Sequence, residues 1–166
     1  MKYIAASLVI ALCTLTGYKF GNNLSLKTQE LSAILYFLRF YENELVYLQA
    51  SVSTIIEDFV KENNSLKMDF IKKCSALCRE KDFPEAWSSG ISNSNIHIDD
   101  SSKQLLLDFG KKIGTSDTET QLKYINYYTN AFEKVLENAE KQEKENKKLY
   151  ILTGFTIGLI GGIMIV

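Results

Sequence analysis

From Thr28 onward the apolar residues fall at Leu31, Ile34, Leu35, Leu38, Tyr41, Leu45, Leu48, Val52, Ile55, Ile56 and Phe59. Steps of three and four place them on one stripe of a helix. Glu30, Arg39, Glu42, Asn43, Gln49 and Glu57 occupy the other side, and Asn63-Asn64 breaks the pattern. The spacing predicts one long amphipathic helix ending at that break.

A second helical pattern runs from Ser65 to Lys81, with Leu66, Phe70, Ile71, Cys74, Leu77 and Cys78 inward. Asp82 to Ser89 suits a short helix with Pro84 in its first turn, where the missing N–H does no harm. Residues 92 to 102 (SNSNIHIDDSS) form a polar connection whose aspartates and serines are N-cap candidates. Lys103 to Ile113 turns Leu105, Leu106, Phe109 and Ile113 inward. The last pattern starts near Asp117 and carries Leu122, Ile125, Tyr128, Ala131, Phe132, Val135, Leu136 and Ala139. No Gly or Pro separates it from the charged run 140–148 or that run from the apolar end of the chain. One continuous helix is therefore predicted from about residue 118 into that end.

Both ends differ from this middle. Residues 3–18 contain no charge, and neither do the 18 residues from Leu149 to Val166. A membrane-crossing helix needs about 20 apolar residues, within a range of roughly 17–25. The C-terminal segment meets that range, with Lys147 and Lys148 at its entrance as headgroup anchors; the N-terminal segment is marginal at 16 residues. Its length also suits a secretory signal, but no small-x-small site comes after it, and Leu12 before Cys13 rules out a lipoprotein site. An uncleaved anchor is therefore expected, with Gly17, Tyr18 and Phe20 at its interfacial end. Lys19, Lys27, Lys141, Lys144, Lys147 and Lys148 flank the inner ends of the two segments, against Lys2 outside. The positive-inside rule then puts the middle of the chain in the cytoplasm.

The expected fold is all-α: an antiparallel bundle of about five to six helices flanked by two terminal transmembrane helices. The parts are a span over 1–19, a cytoplasmic bundle over 20–148 and a span over 149–166. A net charge of −1 offers no electrostatic reason to bind nucleic acid. Of three cysteines, Cys13 lies in the first span, while Cys74 and Cys78 are four apart on one helix face. That spacing is half a metal site at most, because a zinc site needs four ligands, or three and a water, and the single histidine, His97, lies in a polar loop. Two small residues on a buried face is the simpler reading, and an odd count suits a reducing compartment. Asp99-Asp100 reads as loop and cap, and the carboxylates of 133–145 alternate with lysines as on a solvated helix face. No catalytic, cofactor-binding or metal residues and no cofactor are expected.

The stretch FGKKIGTSDTETQ, residues 109–121, imitates a phosphate loop. A P-loop needs glycines five apart followed at once by Lys and Ser/Thr, after a buried strand. Here Gly110 and Gly114 are four apart, Thr115 comes next, and the preceding residues are helical in pattern. A corner explains the residues better. Lys111 and Lys112 complement the dipole of a helix end, and Gly114 suits the left-handed position just past it. Ser116 and Glu119 spell a capping box for the next helix, with Asp117 in its first turn.

The residues Glu44-Leu45-x-Tyr47, Ala86-Trp87 and Phe109-Gly110-x-x-Ile113-Gly114-x-x-Asp117-x-x-x-Gln121, with two apolar ends around a helical middle, resemble the stage III sporulation protein AB family over essentially the whole chain. Where that family often has Pro-Leu after the tyrosine, this chain has Ser51-Val52. The resemblance implies a non-enzymatic protein similar to the inner-membrane platform component of type II secretion and type IV pilus machines. It implies a place in the channel complex between mother cell and forespore, in the mother-cell membrane engulfing the forespore. The stage III sporulation protein AA-type ATPase and other channel subunits are the implied partners.

Two features bear on assembly. Gly154, Gly158 and Gly162 form a doubled GxxxG, which serves close helix packing against another subunit or against the first span, or only reflects how common glycine is in membrane helices. Tyr124, Tyr127 and Tyr128 share a helix; Tyr128 is expected in the core, with Tyr124 and Tyr127 flanking it or forming a partner surface. The expected function is a scaffold on two anchors. The alternatives are a small protein whose spans themselves form or permeabilise a pore, and a secreted helical protein with a cleaved N-terminus. Against the pore, Thr14, Thr16, Thr153 and Thr156 are the only notable polar groups in the spans.

Overall fold

A computed structural model describes residues 2–48, 50–63, 68–113 and 117–165. Among these the chain is all-α, with six helices: α1 (Lys2–Leu48), α2 (Val52–Glu62), α3 (Asp69–Leu77), α4 (Phe83–Ser92), α5 (Asp100–Lys112) and α6 (Thr118–Ile165). They group into two compact units. One comprises Met1–Thr28 with Glu137–Val166, the other Gln29–Leu136. The two longest helices, α1 and α6, each contribute to both.

The long amphipathic helix expected from Thr28 to Asn63 is two helices. α1 stops at Leu48 and α2 starts at Val52. Ser51 is extended (φ −68°, ψ 155°) and its Oγ accepts from Thr54 N at 3.3 Å, a side-chain cap for one of the amides that a helix start leaves unpaired. The apolar stripe keeps its phase across the break, so spacing alone joined what a serine cap divides. Of the segment expected over Ser65–Lys81, the described residues are helical over Asp69–Leu77; residues 65–67, Leu66 among them, lie outside the described residues. Pro84 takes the first turn of α4 as expected. α5 begins earlier than Lys103, because Asp99 caps it by accepting from Ser102 N at 3.2 Å. α6 runs unbroken from Thr118 to Ile165, as the lack of a breaker predicts.

The core of the Gln29–Leu136 unit is aromatic. Trp87 on α4 is fully buried, and its indole N–H donates to Leu106 O at 2.8 Å, so the one polar atom of the ring is satisfied. Phe37 stacks on it at 5.7 Å between centroids, and Phe70, Phe83 and Phe109 each stand 5.5 Å away. These rings come from α1, α3, α4 and α5, so four helices meet at one side chain. Leu31, Ile34, Leu38, Ile55, Ile56, Ile71, Ile91, Leu106, Ile125 and Phe132 fill the space around them.

Candidate functional site

Most residues that suggested chemistry are structural. Asp117 is the N-cap of α6: its carboxylate accepts from Thr120 N and from Thr120 Oγ1, each at 2.9 Å. The amide bond from Thr120, then its hydroxyl, holds the Asp117 carboxyl below the usual carboxylate range. Glu119, expected to close a capping box with Ser116, pairs with Lys123 at 2.8 Å. Gly114, Thr115 and Ser116 lie outside the described residues. Gln121, one turn on, sits 3.4 Å from the hydroxyl of buried Tyr41, whose proton is held more tightly because burial disfavours the phenolate. Lys111 bonds Asp108 at 3.0 Å, and Lys112 lies 5.9 Å above the ring of Tyr124.

His97 is pinned to α1, its backbone N–H donating to one oxygen of Glu30 at 2.5 Å and its Nδ1 lying 2.8 Å from the other. That pair fastens the loop after α4. Beside it a cavity of about 40 Å³ is lined by Glu30, Ile34, Met68, Phe70, Ser94 and Ile96, which is room for a water but not for a substrate. Cys74 is buried and Cys78 half-buried, with their sulfurs 3.8 Å apart. Among the described residues, no His, Cys, Asp and Glu side chains gather in a group of three or more that could hold a metal ion. Of the three tyrosines, Tyr128 is buried as expected and Tyr127 is exposed. Tyr47 is 80 % exposed, with Val46 and Leu48 exposed beside it at the end of α1.

The other unit is built on glycine. In it the N-terminal part of α1 and the C-terminal part of α6 lie backbone against backbone. A Cβ on Gly17 would fall 2.5 Å from Tyr150 O and 3.1 Å from Gly154 Cα; one on Gly154 would fall 2.7 Å from Cys13 O. On Gly158 it would meet Cys13 Cβ and Ile10 Cα, both at 3.1 Å. The seam needs small residues from both helices. Gly154 and Gly158 were legible as GxxxG, whereas their counterpart, Gly17-x-x-x-Gly21 on α1, was missed although its spacing is the same signal. Gly161 also approaches α1, at 3.4 Å from Val9 Cγ1.

With the small residues inside, the large ones face outward: Leu8, Leu12, Leu15, Leu152, Ile157, Ile160 and Ile163 are all more than half exposed. Thr14, Thr16 and Thr156 return their hydroxyls to carbonyls of their own helix at 2.8–3.1 Å, to Ile10, to Leu12 and Cys13, and to Leu152 and Thr153 respectively. Toward the charged end of the same pair, Ser25 Oγ donates to Glu143 at 2.5 Å and accepts from Lys147 Nζ at 2.7 Å. Lys147, expected as a headgroup anchor at the entrance of the C-terminal segment, is thus also a strut between α1 and α6.

By length and composition, α6 over Thr118–Met164 is the one helix among the described residues able to cross a membrane. The charge-free run of α1, bounded by Lys2 and Lys19, is shorter. No curated protein and no solved structure matches the chain. The profile of one family, stage III sporulation protein AB, matches residues 2–166. Trp87, Phe109, Ile113 and Gln121 of the recognised motif are core residues, and Asp117 is a cap. The chain belongs to the stage III sporulation protein AB family, a family of sporulation proteins.

Proposed function

We propose that the chain is a non-enzymatic membrane scaffold of the channel complex between mother cell and forespore. Both ends cross the mother-cell membrane as a helical hairpin, and the helical unit stands in the cytoplasm. One observation carries the membrane part of this reading: the α1–α6 pair turns its glycines inward and its leucines and isoleucines outward. Water would drive such side chains inside, and lipid has no such preference, so a pair that packs through backbone contact with an apolar exterior is suited to a bilayer. The marginal length of the first span is compensated in this arrangement by its packing along the second.

The docking part rests on family membership and on the exposed end of α1. Val46, Tyr47 and Leu48 present apolar area to solvent, and a tyrosine there offers contact area with a polar tip. The AA-type ATPase and other channel subunits are the partners proposed. The rival reading, a pore formed by the two spans, is disfavoured by the threonine hydroxyls, which bond back to their own helices and leave no polar stripe.

Co-purification tests the scaffold. Full-length protein in detergent should retain the AA-type ATPase at micromolar concentration, and failure to do so removes the docking part. Accessibility of Cys78 to a membrane-impermeant maleimide from the cytoplasmic face alone tests the topology. Ion flux through liposomes carrying the purified chain would favour the pore.

A further inference from the structure

We propose that the α1–α6 pair is built for a thin bilayer, about 24 Å through its hydrocarbon, and prefers lipids with short acyl chains around it. The inference rests on the membrane hairpin proposed above and names the lipid that hairpin takes. Its basis is the register in which the two helices meet. Gly17 of α1 faces Tyr150 and Gly154 of α6, and Gly21 faces Lys147 and Ile151. Lys19 lies midway between those glycines, so it stands level with Lys148–Tyr150, where the charge of α6 also stops. On the apolar side of that level Gly154 meets Cys13, Gly158 meets Ile10 and Gly161 meets Val9, which repeats the same register along the seam. On the charged side Ser25 is tied to Glu143 and Lys147. Contacts on both sides therefore fix the charge limits of the two helices at one depth.

Between Lys19 and Lys2 the charge-free run of α1 is 16 residues. In an unbroken helix that is about 24 Å, against about 30 Å for the hydrocarbon core of a typical bilayer. Aromatic side chains mark the same two levels. Tyr18, Phe20 and Tyr150 are exposed at one, with the rings of Phe20 and Tyr150 6.1 Å apart, and Tyr3 is exposed at the other. Tyrosine settles at the boundary between headgroups and hydrocarbon. Tyr3 and Tyr18 are fifteen residues apart, about 22 Å along the helix. A helix that is too long can tilt, but one that is too short cannot stretch, and packing against α6 holds α1 in place without lengthening it. Bounded by charge at both levels, α1 sets the height of the pair. The adjustment then falls to the lipid, which thins around the pair or is exchanged for shorter chains.

The test measures lipid preference directly. Leu12→Trp places an indole on the exposed side of α1 near the middle of the span. The full-length variant is reconstituted into bilayers that mix brominated dioleoyl phosphatidylcholine with one other phosphatidylcholine. The second lipid has monounsaturated chains of fourteen, sixteen, eighteen, twenty or twenty-two carbons. The parent, whose one tryptophan is Trp87, supplies the blank. Relief of quenching gives the binding constant of each lipid relative to the brominated one. That constant is expected to peak at fourteen to sixteen carbons and to fall severalfold by twenty-two. Adding Lys19→Leu carries the apolar run on to Phe20 and should move the peak to longer chains. A peak at eighteen carbons or beyond, a flat series, or an unmoved peak in the lysine variant overturns the proposal and leaves the hairpin in the membrane. No quenching at residue 12 by brominated lipid in any mixture would overturn the hairpin, and the thin bilayer with it.

Discussion

Gly110 of α5 lies directly beneath the indole of Trp87 of α4: a Cβ on Gly110 would stand 2.1 Å from Cδ1 and 2.6 Å from Cγ of the ring. Nothing at that distance can be accommodated by a small adjustment, because Trp87 is held by Phe37, Phe70, Phe83 and Phe109 and by its bond to Leu106 O. Gly110→Ala should therefore destabilise the helical unit by about 2 kcal/mol or more, the upper part of the usual cost of overpacking. Trp87 is the chain's one tryptophan, so its fluorescence in a urea titration reads the shift, and an unchanged midpoint would refute the packing.

The glycine seam predicts a cross-link within one chain. In a protein with Cys74→Ser and Cys78→Ser, Gly158→Cys should form a disulfide with native Cys13 on mild oxidation, since a Cβ at residue 158 would lie 3.1 Å from Cys13 Cβ. The product is expected as a monomer on a non-reducing gel. A dimer instead would mean that the glycine faces pair between chains.

Charge at the base of the same helix pair predicts a pH dependence. The bond from Ser25 first, and those from Thr28 and Lys147 after it, hold the Glu143 carboxyl below its ordinary value of 4.5. Its pKa is lower folded than unfolded, so its contribution is present above about pH 4.5 and is lost as the pH falls through the folded value. Thermal melts of the full-length protein in detergent should show an acid-side loss of stability that Glu143→Gln reduces. An identical profile in the variant would show that the contact contributes nothing.

Capping at the head of α6 gives a sharper test of the corner. Asp117→Ala removes the acceptor for Thr120 N and should lower Tm by a few degrees, while Asp117→Asn should restore most of it. Equal melts for the alanine variant and the parent would assign the cap elsewhere.

Tyr47 separates docking from folding. At 80 % exposure its replacement by alanine should change stability by less than about 0.5 kcal/mol. Retention of the AA-type ATPase, however, should fall severalfold in co-purification. Undiminished retention would move the docking surface away from the end of α1.

Much of the fold was legible because helices are local. The spacing Leu31, Ile34, Leu35, Leu38 specifies a buried helical face whatever lies against it, and the absence of Gly or Pro between Asp117 and the apolar end is enough for a helix that runs to Ile165. The break at Ser51 was less legible, since Leu45, Leu48, Val52 and Ile55 stay in helical phase on both sides of it; the serine itself was the signal.

The contacts between helices were not local and could not be read that way. GxxxG spacing at Gly154 and Gly158 announced a close approach but not to what, because the partner's identity resides in Gly17 and Cys13, far off in the chain. Lys147 was legible as a cation at the entrance of the apolar segment, but its bond to Ser25 of α1 at 2.7 Å was not. Sequence by itself determined which segments are helical, which faces are apolar and where charge stops, all properties of residues a few positions apart. Tertiary structure alone decided which glycine lies under which ring or backbone, because close packing is settled by volumes that meet only when distant segments do.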